Sequence, residues 1–208
     1  MYSLPYFKEK DKETIFQFIK KHPFAFLTGC DENNKPVATQ VPVFIDERED
    51  KLILTGHIMK NTDHHLAFEH NKNVLAVFTG AHTYVSASWY SNPQQASTWN
   101  YISVHAKGIL RFLNTNELLE VLKRTTNHFE NNPHSTANYE ELPQEYVQRL
   151  AKAIIAFEIE VMEMDNVFKL SQNHEENNYH HIIEKLEEQK GDGELIAGEM
   201  KKRLNKLF

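Results

Sequence analysis

Two short stretches of this 208-residue chain combine residue types able to bind or transform a small molecule. The first is Leu54-Thr55-Gly56-His57-Ile58-Met59-Lys60-Asn61-Thr62. A strand ends in glycine, a loop carries a histidine and a lysine, and a helix opens at Thr62. Backbone N–H groups at a helix N-terminus, aided by Lys60, His57 and the Thr62 hydroxyl, could hold a phosphate. An ordinary capped loop gives the same pattern. The second stretch is Ser86-Ala87-Ser88-Trp89-Tyr90 followed by Thr98-Trp99-Asn100-Tyr101-Ile102-Ser103-Val104-His105. It contains both tryptophans of the chain. Aromatics with polar tips suit places with one dry and one wet side, such as interfaces and ligand pockets. A hairpin whose aromatics fill a barrel reads identically.

Other chemistries find less support. Twelve histidines invite a metal reading, with clusters at His64, His65 and His70 and at His174, His180 and His181. Helical metal pairs favour i,i+4 spacing, the offsets here are mostly five and six, and no cysteine lies nearby. These histidines read as solvated or helix-capping, and no metal site is expected. Cys30 sits beside a turn with no nucleophile motif around it. Neither G-x-G-x-x-G nor G-x-x-x-x-G-K-[ST] occurs, so a Rossmann site and a P-loop are unsupported. His57, Tyr90 and His105 are candidate proton donors, yet none belongs to a recognisable acid–base pair.

The elements that position these residues follow from periodicity and turn chemistry. Asp11 caps a helix through Lys21, which Pro23 ends. Strands are expected at 24–28, 36–45 and 51–56, joined by turns at 31–35 and 46–50. A short helix follows Thr62. Further strands are expected at 74–78, ending at Gly80, at 84–88 and, after a polar loop at 91–97, at 98–113. Asn114 and Glu117 form a capping-box start to a helix reaching about Phe129, and Pro143 suits the first turn of another. Phe157, Ile159 and Val161 alternate with Glu158 and Glu160 as a half-buried strand. Met162 and Met164 fall in the opposite phase and suggest a bulge or an end, and 167–170 is the last strand. Two helical pieces beyond Asn178 are separated by Gly191-Asp192-Gly193. Short strands with few crossovers predict a mainly β, α+β fold built on a closed antiparallel barrel. The whole of 1–208 reads as one domain, with a barrel core over about 24–170 and a helical C-terminal segment over about 174–208.

The formal charge of −6 lacks the basic face with which stand-alone DNA-binding proteins neutralise phosphates. One cysteine excludes an intramolecular disulfide framework. The opening residues have no apolar h-region, and no apolar run approaches the length needed to span a bilayer. A cytoplasmic protein without membrane attachment is expected.

Thr55-Gly56-His57, Lys60-Asn61, Tyr84-Val85-Ser86-Ala87-Ser88-Trp89-Tyr90, Thr98-Trp99-Asn100-Tyr101, Val104-His105 and Phe168-Lys169-Leu170-Ser171-Gln172-Asn173 occur in this order. Together with Met1-Tyr2 and Pro5-Tyr6-Phe7, they resemble the signature of the PaiB-type negative transcriptional regulators over essentially the whole chain. The resemblance implies an FMN-binding split β-barrel, related in architecture to pyridoxamine-phosphate oxidases and dimeric, with FMN at the subunit interface. On this chain it puts Thr39, Gln40 and Val41 beside the isoalloxazine and ribityl chain. It puts His57, Lys60, Asn61 and Thr62 at the phosphate, with Thr55 and Gly56 also among the cofactor-binding residues. Trp89, Trp99, Asn100, His105, Ser171, Gln172 and Asn173 complete the cleft, some from the second subunit. Two positions depart from the pattern, which implies proline where Thr62 stands and a basic residue where His174 stands. Negative regulation of transcription, with DNA as a partner, rests on the resemblance alone. The alternative is a flavin-dependent oxidoreductase acting on a small molecule.

Overall fold

The computed structural model describes residues 1–92 and 94–208; the expected polar loop at 91–97 contains Pro93, which lies outside them. Six strands, β1 (Phe24–Cys30), β2 (Pro36–Arg48), β3 (Lys51–Met59), β4 (Asn73–Val85), β5 (Thr98–Phe112) and β6 (Ile154–Lys169), close into an antiparallel barrel. Their order around the barrel is β1-β2-β3-β6-β5-β4. The helices are α1 (Lys12–Lys21), α2 (Asp63–His70), α3 (Thr115–Glu130), α4 (Gln144–Ala151), α5 (Glu176–Glu187), α6 (Asp192–Lys201) and α7 (Leu204–Leu207). The expected class and barrel are what the chain forms. No helix among the described residues is long and apolar enough to cross a membrane.

Several strands outrun their expected ends, each for a physical reason. β2 continues to Arg48 rather than stopping at Ile45. The reversal is confined to Glu49 and Asp50, with φ of 51° and 64°, a two-residue left-handed turn of the kind that matches strand twist. β3 continues through Met59, because His57 pairs with Ala156 and Met59 with Ile154 of β6. The strands expected at 74–78 and 84–88 are one strand. Gly80 does not end it: a Cβ there would lie 2.8 Å from the Phe18 ring, so glycine admits that ring rather than a turn. Likewise the strands expected around 157–161 and at 167–170 are one long strand, β6, with Met162 its exposed, out-of-phase point.

Two compact units make up the chain. One comprises Pro23–Val77 and His105–Met164. Here Phe26 opposes Gln40 on β2 and Val77 on β4, and Val43 opposes Gly56. Alternation turns Ala25, Leu27, Val41, Val43, Ile45, Leu54 and Ile58 inward, all buried. On the opposite face of β6, Ala156 joins Leu113, Leu118, Val121 and Ala151 in a cluster under α3 and α4. The capping box at Asn114 and Glu117 forms as expected.

The other unit comprises Met1–His22, Phe78–Val104 and Asp165–Phe208. Asp11 caps α1 by accepting from Glu13 and Thr14 N–H groups. Tyr179, fully buried on α5, donates to the Met200 carbonyl (3.1 Å) and so fixes α5 to α6.

Candidate functional site

The expected phosphate segment lies in the first unit and begins inside β3. Gly56 is required by crowding. A Cβ would lie 2.9 Å from the Phe157 ring, 3.0 Å from the Pro42 carbonyl and 3.1 Å from Val43. Because β3 extends to Met59, His57 is a strand residue rather than a loop residue. Its Nδ1 is buried with no hydrogen-bond partner among the described residues, and burial holds its pKa below the ordinary histidine value. Such a group calls for a ligand or solvent partner.

Beyond β3 the chain turns sharply at Asn61, whose φ is 61°. The Lys60 N–H donates to the Ala153 carbonyl at 2.9 Å, which anchors its backbone. The Lys60 side chain lines a cleft with Asn114, Thr115 and Lys152, and no carboxylate pairs with it among the described residues. Thr62 caps α2, as its sequence context requires, and that role occupies it. Its hydroxyl donates to the Met59 carbonyl (3.0 Å) and accepts from the His65 N–H (3.3 Å). The His64 N–H is taken by Asp63 (2.8 Å), and the Asn61 N–H faces His65 Nδ1 (3.4 Å). With a carboxylate in the first turn as well, the N-terminus of α2 offers little to a phosphate. The Lys60 ammonium and the unpartnered His57 imidazole offer more.

On β2, alternation separates the expected residues. Val41 is buried on the barrel side, Thr39 half-buried, and Gln40 exposed on the outer face opposite Phe26. Thr55 is buried 3.5 Å from the Arg48 guanidinium. His105 is half-buried on β5. One residue beside this set escaped notice in the sequence. Glu158 opposes Thr55 on β6 and is buried, bonded to both Arg48 and Arg111. Its alternation with Phe157 and Ile159 marks it as solvent-facing, and only the long-range approach of two arginines covers it.

The remaining expected residues lie in the second unit. Asn100 is fully buried and exchanges hydrogen bonds with the buried Ser171: Nδ2 donates to Oγ (3.0 Å), and Oγ donates to Oδ1 (3.1 Å). Gln172 bonds Leu170 N–H and the Phe168 carbonyl at 2.7 and 2.5 Å. These contacts shape the chain after β6, where Ser171 has a φ of 64°. Asn173 is exposed, Trp89 half-buried, and Trp99 exposed with its ring against His82 and Tyr84. Lys169 bonds Thr98 and the Trp99 carbonyl. Tyr90 packs on His174 with ring centroids 4.4 Å apart, and its hydroxyl is buried without a partner among the described residues.

A family model described as "Putative FMN-binding domain" matches residues 1–163. The chain is also 31% identical over 209 residues to protease synthase and sporulation protein PAI 2 of Bacillus subtilis (strain 168). That match covers 98% of this chain and all of the relative. The chain belongs to the FMN-binding domain family. The fold is shared with solved proteins of low identity. A FAD- and haem-binding protein from Mycobacterium smegmatis superposes with a TM-score of 0.58 at 17% identity, over 78% of this chain and 73% of that one. A flavocytochrome from Azotobacter vinelandii superposes with a TM-score of 0.58 at 16% identity, over 86% and 78%. FMN, the cofactor expected from the sequence, is the ligand by which this family is described. The set around β3 has features that fit its phosphate: a lysine without a counter-ion and an orphaned buried imidazole nitrogen.

Proposed function

We propose that this chain binds FMN as a cytoplasmic homodimer and acts as a negative regulator of transcription. The observation that carries this reading is the likeness, over nearly its full length, to the Bacillus subtilis sporulation protein. His57 and Lys60 are the residues proposed to hold the phosphate, with Gln40 facing the flavin ring from the outer face of β2. Bound FMN supplies reversible one- and two-electron transfer, which suits a redox-responsive regulator. The protein's own contribution is to bind and orient it.

A homodimer is supported by the outer face of β1. Phe24 and Phe26 are 61% and 41% exposed there, next to Pro42 and Gln40. A row of phenylalanines left in water marks an interaction surface, and a second copy would bury it. The charge of −6 opposes unaided DNA binding, so DNA contact would depend on the dimer or on another factor.

The alternative, a flavin-dependent oxidoreductase, would draw on His57, Tyr90 and His105 as proton donors. Burial holds the Tyr90 phenol above its ordinary pKa, and its hydroxyl is enclosed. The deciding experiment is an absorbance spectrum of the purified protein before and after incubation with FMN and desalting, with gel filtration alongside. A flavin band and a dimer are expected. A protein that stays colourless, or elutes as a monomer with FMN present, refutes the corresponding part. A salt-sensitive shift of promoter DNA supports the regulator; steady NADH turnover without a shift refutes it in favour of the enzyme.

A further inference from the structure

We propose that the cleft between α1, α6 and α7 binds a small organic anion with an apolar body, as an effector site separate from the flavin. The cleft has a volume of about 390 Å³, within the range of small-molecule sites. Its floor is apolar and formed by Phe18, Ala81, Ile102 and Phe168. Leu195 stands on its wall, 55% exposed on α6. A leucine left in water beside an apolar floor gains from a ligand that covers both.

The charged rim fixes the sign of the ligand. Its carboxylates are mostly occupied. Glu9 takes the Arg203 guanidinium at 3.2 Å, and Glu199 takes Arg203 at 3.1 Å and Lys202 at 2.6 Å. Glu13 accepts from the neutral Gln17 amide at 2.6 Å and keeps its charge, so the rim residues together carry one net positive charge. Two ammonium groups on the rim, Lys21 and Lys206, have no carboxylate within ion-pair distance among the described residues. His22 also lines the cleft, its ring on Phe18 with centroids 4.6 Å apart. Burial and the adjacent Lys21 lower its pKa, so near neutral pH it offers a hydrogen-bond partner rather than a third charge. A ligand with an aromatic or aliphatic body and one acidic group matches this arrangement. No residue assigned to the flavin lines the cleft, so the inference stands apart from the FMN reading.

The test is calorimetric titration of the full-length protein, with and without FMN, using 2-naphthoate as probe and 2-naphthalenemethanol as its neutral control. Saturable binding of one naphthoate per chain is expected in both forms, with the alcohol about fivefold weaker, as an exposed ion pair of up to about 1 kcal/mol implies. Leu195→Asp and Lys21→Glu change exposed side chains and are each expected to weaken naphthoate about fivefold or more. Circular dichroism and flavin absorbance should not change in either variant. Absence of saturable heat, an unchanged affinity in Leu195→Asp, or equal affinity for acid and alcohol overturns the proposal. The flavin band of the same samples reports separately on the FMN reading.

Discussion

Replacing Lys60 by alanine separates the side chain's part in cofactor binding from its part in folding. The fold asks little of it. The Lys60 N–H bonds the Ala153 carbonyl whatever the side chain, and no carboxylate pairs with the ammonium among the described residues. Unfolding stability is therefore expected to change by less than about 0.5 kcal/mol. The flavin phosphate is a different matter. Two unit charges about 4 Å apart interact by about 4 kcal/mol at an effective dielectric constant of about 20, and by about 1 kcal/mol in water. Lys60 is half-buried, so an intermediate loss of about 2 kcal/mol is expected, raising the Kd for FMN about 30-fold. Quenching of flavin fluorescence measures that Kd. Riboflavin, which has the same ring and ribityl chain but no phosphate, supplies the control. Its affinity should be nearly equal for the two proteins, and the FMN difference should shrink at high salt. An equal loss for FMN and riboflavin would show that Lys60 acts through structure. No loss for either would remove it from the site and with it the charge-based account of phosphate binding.

Three other outcomes follow from the geometry. Gly56→Ala forces a methyl group against the buried Phe157 ring and the Pro42 carbonyl; overpacking of about 2 kcal/mol should lower the melting temperature by roughly 4–8 °C, and an unchanged melting curve would show that the pocket relaxes freely. Asn100→Leu strands the buried Ser171 hydroxyl and should cost about 2 kcal/mol in urea unfolding, whereas adding Ser171→Ala should recover part of the loss, because the stranded partner is then gone. Burial lowers the pKa of His57, His22 and His174 below the ordinary value of 6.5. Below 6.5 the unfolded chain therefore binds more protons than the folded one, and stability should fall as the pH drops from 7 towards the depressed values. His57→Gln should flatten part of that slope in thermal melts at pH 5–7, and an identical slope would acquit His57.

Local chemistry made much of the fold legible. Asp11, Thr62 and Asn114 have the side chains of cap residues, and all three cap the helices they precede. What local chemistry misjudged was where strands end. Gly80 has the composition of a break, but its glycine answers to Phe18, more than sixty residues earlier in the sequence. Glu49 and Asp50 adopt a left-handed turn without glycine or asparagine, so the charged run at 46–50 signalled a reversal but not which two residues make it. Glu158 lies buried because Arg48 of β2 and Arg111 of β5, both far away in the sequence, reach it, and strand alternation alone puts it in solvent.

The candidate site divides along the same line. In the sequence, Thr62 has two competing uses, as a helix cap and as a phosphate ligand. One hydroxyl that already donates to Met59 and accepts from His65 has little left for an anion, and Asp63 adds a charge of the wrong sign at the same helix end. His57 has the reverse history. Its neighbours in sequence make it one cation in a loop, and only the pairing of β3 with β6 through Ala156 buries its Nδ1 without a partner. Anion binding should then raise the depressed pKa of His57 and draw in a proton. FMN affinity is accordingly expected to strengthen as the pH falls from 7.5 to 6, even as the unliganded fold weakens over the same range, and riboflavin should show no such trend. Parallel pH profiles for the two flavins would refute the assignment of His57 to the phosphate.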